Sequence, residues 1–169
     1  MTSPTHPSPE HDACDVATLD ALGAQHERFE QVLESLHDLI DRLRTGRPDE
    51  RARAAAAQVV ATLDGEVPPH RAAEERLVLP ALRRAGGEAG VALAARLEAE
   101  HDLIARAWSQ CRPALAELAG SGHWAMESAA FEFERWRDLS ALVTAHLLAE
   151  QGAAFPTVRA WVEGSTPGR

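Results

Sequence analysis

At 169 residues the chain is long enough for one domain with a sizeable core. Its 26 acidic against 17 basic residues give a formal net charge of −9. That balance argues against a phosphate backbone or an anionic membrane surface as the main partner. No apolar run approaches the ~20 residues of a membrane span, and the start, MTSPTHPSPEHDACD, lacks the basic and apolar regions of a signal peptide. A soluble cytoplasmic protein is expected. In chain order, residues 1–15 carry three of the ten prolines among Ser, Thr and acidic residues, which predicts a disordered leader. Turn signals follow at TGRPD (45–49), AGG (85–87) and GSG (120–122). The body, 16–163, is cut into four segments, and residues 164–169 form a tail expected to fray.

Each segment carries an apolar stripe with steps of three and four, the period of an amphipathic helix. The first runs Leu19, Leu22, His26, Phe29, Leu33, Leu36, Ile40, Leu43, and the second Val60, Leu63, Val67, His70, Glu74, Leu77, Ala81. The third runs Ala94, Leu97, His101, Ile104, Trp108, Cys111, Leu115, Leu118, and the fourth Trp136, Leu139, Val143, His146, Glu150, Ala153. No alternating strand pattern occurs. The predicted fold is all-α, an up-down-up-down four-helix bundle.

Six polar residues interrupt these stripes: His26, His70, Glu74, His101, His146 and Glu150. Such groups are costly in a bundle core unless paired or bound to a metal. In antiparallel helices, residues symmetric about a turn share a height. His26 and His70 are symmetric about residue 48, inside the first turn, and His101 and His146 about a point just beyond GSG. The His70/Glu74 pair mirrors His101 through Gly86 and Gly87. All three turns predict one layer of four imidazoles and two carboxylates. The frame His-x3-Glu-x5-Pro occurs twice, from His70 to Pro80 and from His146 to Pro156, so the bundle reads as two copies of a helix pair.

Neutral imidazole and carboxylate are the ligands of non-haem iron, manganese or zinc, and a His and Glu four apart on a helix share a face. Four His and two Glu suit two ions, with the carboxylates bridging and positive charge left for an oxide, hydroxide or peroxide ligand. A competing arrangement, the Glu-x2-His pairs Glu34/His37 and Glu98/His101 of ferritin-like di-iron proteins, fails on register. His37 reflects onto Val59, and Glu34 and Glu98 lie beside their stripes. Glu30, Glu27, Glu75 and Asp102 read as solvated charges, although Glu75, Glu27 and Asp102 adjoin ligands and are candidates to hold ring N–H groups. His6, His11 and His123 read as solvated. Cys111 reads as a core hydrophobe and Cys14 as an exposed thiol. Pro80 and Pro156 are expected to bend or end their helices, and Pro68 and Pro69 to distort the helix before His70.

The segments QHERF around His26, HRAAEERLVLPAL from His70, AEHDLI around His101 and AHLLAEQGAAFP ending at Pro156 resemble the hemerythrin-like, or HHE cation-binding, domain over about residues 17–160. The resemblance implies two non-haem iron ions with an oxo or hydroxo bridge. His26, His70, His101 and His146 would be terminal ligands and Glu74 and Glu150 would bridge. Oxygen-carrying members have a second His four residues after the third-helix His, where this chain has Ala105, and they end with His-x4-Asp where it has His-x3-Glu. The site therefore looks more like the bacterial type with four His and two Glu. A mostly apolar wall from Leu22, Phe29, Val67, Leu77, Leu97, Ile104 and Val143 would admit O2, NO or H2O2 and exclude large or charged molecules. The chain contains no Tyr, which removes tyrosyl-radical chemistry. The expected function is binding of such a small molecule for sensing, storage or scavenging. Catalase-like dismutation of peroxide and iron sensing through metal-dependent stability are the alternatives.

Overall fold

The computed structural model describes residues 14–165, so the expectations for residues 1–13, including His6 and His11, and for 166–169 lie outside the described part. Among the described residues there is no strand. Helix α1 spans Val16–Thr45, α2 Glu50–Gly65, α3 Val67–Ala73, α4 Leu79–Ala85, α5 Gly87–Ser121, α6 Ala129–Ala149 and α7 Phe155–Ser165. Two π-helical turns, Glu74–Val78 and Glu150–Ala154, join α3 to α4 and α6 to α7. The bundle thus has four rods: α1, the composite α2–α3–α4, α5, and the composite α6–α7. α1 packs on α2, α2 on α5, α5 on α6, and α6 back on α1, closing an up-down-up-down ring. None of these helices is long and apolar enough to cross a membrane.

Local chemistry sets the ends. Asp15 and Asp49 cap α1 and α2, their carboxylates accepting from the backbone N–H of Thr18 and Ala52, one of the four donors a helix start leaves unpaired. α5 ends where Gly122 enters the left-handed region (φ 73°) and its N–H reaches Leu118 O. The α4–α5 corner is the tightest: Gly87 has φ 56°, and a Cβ on Gly90 would lie 2.4 Å from the Leu82 carbonyl oxygen.

The four prolines expected to disturb their helices all lie beside an irregular turn. Pro80 and Pro156 do not end their helices. The preceding turn widens instead, with Leu79 N–H bonding to Glu74 O and Phe155 N–H to Glu150 O, five residues back. The wider turn accommodates a ring that would strike the carbonyl four residues earlier in an α-helix, and proline then sits at the second position of the renewed α-helix. Pro68 and Pro69 likewise fall in the first turn of α3, where missing N–H groups cost least. The break they cause is confined to Glu66.

The core divides at the polar layer. Phe29, Val32, Leu33, Leu36, Leu63, Leu115, Trp136, Leu139 and their neighbours form the larger apolar cluster; Leu19, Leu22, Val78, Leu79, Leu82, Leu97, Phe155 and Val158 form the smaller one beyond it. Cys111 is buried, as expected of a core hydrophobe, and burial pushes its thiol up to about 11. Cys14 is a correction: it is 7% exposed and belongs to the smaller cluster, at the end of the bundle where α1 packs on α7.

Candidate metal centre

The structure brings the six intruding residues into one layer, each from a different turn of the four rods. His26 comes from α1, His70 from α3, His101 from α5 and His146 from α6, while Glu74 and Glu150 are the first residues of the two π turns. All are buried, at 0–6% exposure. Their atoms converge. His26 Nε2 and His70 Nε2 are 3.2 Å apart, and His70 Nε2 is 2.7 Å from Glu74 Oε1. Glu74 turns its other oxygen, Oε2, to His101 Nε2 at 3.1 Å. Glu150 divides the same way, with Oε2 3.4 Å from His26 Nε2 and Oε1 3.4 Å from His146 Nε2.

Two groups of four donors result: His26, His70, Glu74 and Glu150, and Glu74, His101, His146 and Glu150, each with its donor atoms within 4.8 Å of one another. They share both carboxylates. Glu74 Oε1 and both oxygens of Glu150 are buried without a hydrogen bond, although His70 Nε2 lies 2.7 Å from Glu74 Oε1. The nearby ring nitrogens therefore point with these oxygens toward common centres instead of donating to them. Buried oxygens orphaned in this way are expensive. Ions at about 2.0–2.2 Å from nitrogen and oxygen ligands would satisfy them, so the donor set fits divalent first-row metals.

Protonation reflects the crowding. Burial would raise the carboxyl of Glu74, but the imidazoles of His101, His26 and His70 crowded around it hold it far below the usual range. Glu150 is raised, first by burial and then by the negative charge of Glu74, against the pull of His146. For His146, burial works to lower the imidazole, yet the neighbouring carboxylate of Glu150, with help from Glu100 and Glu74, brings it up to about 9.

Each ring also has a partner at Nδ1. His70 Nδ1 is 2.6 Å from Gln25 Oε1, His101 Nδ1 3.1 Å from Glu75 Oε1, His146 Nδ1 3.0 Å from Glu100 Oε2, and His26 Nδ1 3.4 Å from Gln151 Nε2. Glu75 is therefore not merely a solvated charge. Gln25, Glu100 and Gln151 were not singled out from the sequence at all, although each adjoins a ligand. Asp102 pairs with Arg71 at 2.9 Å. Glu34 and His37 are exposed, away from the layer; Glu98 pairs with Arg83 and His123 with Glu117 at the surface.

An apolar cavity of about 230 Å³ opens on His70, Glu74, His101 and His146, with Phe29, Val67, Ile104, Ala105, Trp108 and Val143 in its wall. Leu22, Leu77 and Leu97, expected to share that wall, pack with the smaller cluster across the layer. The cavity lies on one side of the donors only. Trp108 is held there by its indole N–H, which donates to Asp64 at 2.9 Å, and Asp64 is gripped in turn by Arg112.

In comparison with known proteins, residues 17–158 match the family model of the Hemerythrin HHE cation binding domain. No curated protein and no solved structure matches the chain.

Proposed function

Because this chain belongs to the hemerythrin HHE cation-binding domain family, we propose that its polar layer holds two non-haem iron ions and that the adjoining cavity takes a small oxidant or diatomic, O2, NO or H2O2. His26 and His70 would hold one ion and His101 and His146 the other, with Glu74 and Glu150 bridging. The observation that carries this reading is the division of each carboxylate, which turns one oxygen toward each histidine pair. When bound, iron supplies open coordination positions and a change of oxidation state. The chain supplies the rest. Gln25, Glu75 and Glu100 accept at Nδ1 of His70, His101 and His146 and fix those rings with Nε2 inward, and the apolar wall excludes charged solutes and bulk water. The volume, about 230 Å³, is several times that of a water molecule, ample for a diatomic or for peroxide.

A second reading, turnover of peroxide, is favoured by Ala105. Its methyl lies in the cavity wall, where an imidazole would otherwise occupy space beside His101, so an ion held by His101 and His146 would stay open to a molecule entering from the cavity. Oxygen evolved from peroxide well above the rate of free iron separates turnover from binding.

The deciding experiment is metal content per chain in protein from iron-supplemented cells, for the wild type and for Glu74→Ala. About two irons per wild-type chain, and loss of both in the variant, is the expected result. Metal-free wild type, or a Glu74→Ala chain that keeps two irons, overturns the assignment.

A further inference from the structure

The two halves of the layer are backed by different chemistry. Behind the His26–His70 half stand neutral amides: Gln25 at His70, and at His26 the side chain of Gln151, whose amide nitrogen is 3.4 Å from both His26 Nδ1 and Glu30 Oε1. Behind the His101–His146 half stand carboxylates, Glu75 and Glu100. An imidazole that binds a metal through Nε2 carries its remaining proton on Nδ1. A carboxylate accepting that proton makes a bond about twice as strong as a neutral acceptor does, and it leaves more electron density on Nε2 for the metal.

The flanking cations do not cancel this difference. Arg71 Nε lies 2.7 Å from Glu75 Oε1, but its Nη2 is taken by Asp102 at 2.9 Å, so the cluster of Arg71, Glu75 and Asp102 keeps one net negative charge. Arg96 binds Glu100 through Oε1, leaving Oε2 for His146. The carboxylate-backed half is also the half with both imidazoles on the cavity; His26 and Glu150 do not line it.

Resting on the two-ion reading above, we infer that the two metal positions are unequal by construction: the cavity-facing position of His101 and His146 loads first and binds more tightly, and Glu75 and Glu100 are the positioning residues that set the difference. The amide-backed position then fills second. A chain built this way passes through a state with one ion, seated beside the cavity.

The test is anaerobic calorimetric titration of the metal-free full chain with Co(II), followed in parallel by its visible absorption. Two resolved steps of one ion each are expected. Glu75→Gln and Glu100→Gln keep shape and remove charge; each should weaken the first step by about 10–100-fold and leave the second within a few-fold. A merely structural role would weaken both steps together. Gln25→Glu supplies the converse, and is expected to tighten the second step toward the first, which holds even if the glutamine variants fold poorly. Two equal steps in the wild type, loss spread evenly over both steps in the variants, or no gain with Gln25→Glu would overturn the inference while leaving the two-ion reading standing. A wild-type chain that takes fewer than two Co(II) ions would overturn both.

Discussion

His146 shows how one residue couples the site to pH. In the metal-free chain its imidazole is raised above the ordinary 6.5 to about 9 despite burial, by Glu150, Glu100 and Glu74. A raised folded-state value means the charged form stabilises the fold, fully below pH 6.5, with loss as the pH climbs to about 9. The contribution is at most about 3 kcal/mol. The melting temperature of metal-free protein should accordingly fall between pH 6.5 and 9, and His146→Gln should flatten that slope. Metal needs the neutral ring, so affinity should rise across the same window; an equal slope with and without metal would contradict the assignment. Ala105 permits a second test. Ala105→His places an imidazole in the cavity wall beside His101. Stopped-flow mixing of iron-loaded protein with nitric oxide should show binding weakened by about tenfold or more, equivalent to about 1.4 kcal/mol; unchanged affinity would move the ligand elsewhere.

Among the elements, the composite rods differ most from what the stripes predict. A π turn inserts one residue and rotates the face beyond it by about 100°, so the stripe predicts Ala153 inside whereas Ala153 is exposed and Ala154 and Phe155 are buried; in the sequence only the proline six residues after each glutamate hints at the turn. Three of the outer partners were hidden for a related reason. Gln25, Glu100 and Gln151 each adjoin a ligand, about 100° around the helix from it, where a side chain reads as surface; Glu75, similarly placed beside Glu74, was the one the sequence marked as a candidate. Which neighbouring rod such a side chain then meets depends on packing: Glu100 precedes His101 but serves His146. The α4–α5 corner gives this scale its prediction. A Cβ on Gly90 would meet backbone, the Leu82 carbonyl at 2.4 Å, and backbone cannot swing aside. Gly90→Ala should cost about 1–3 kcal/mol and lower the melting temperature, read by circular dichroism, by about 2–12 °C. An unshifted transition would mean the corner opens freely.

For the whole molecule, the bundle and the height of its polar layer were legible because an antiparallel ring obeys simple arithmetic: turns fix midpoints, and midpoints fix which residues meet. His26 with His70, and His101 with His146, follow from that alone. The one-sided cavity was not legible, since a stripe is symmetric about its ligand and cannot tell that Phe29 and Ile104 border a gap while Leu22 and Leu97 fill theirs. Metal should matter at this scale as well. Saturation at a thousandfold excess over Kd adds about 4 kcal/mol to stability, so the melting temperature should rise by about 10 °C on loading; a shift of a degree or two would dismiss metal-dependent stability as a signal.

The layer also cuts the apolar interior into two unequal parts. The smaller part contains both π turns, α4 and α7, and without cations it is joined to the larger across Glu74 and Glu150, whose charges oppose each other. Such a seam lets the two parts open with separate free energies. In hydrogen exchange, amides of α4 and α7 should lose protection on chelation while those around Leu36 and Leu115 keep theirs. Iron would then serve as the rivet that turns two cooperative units into one.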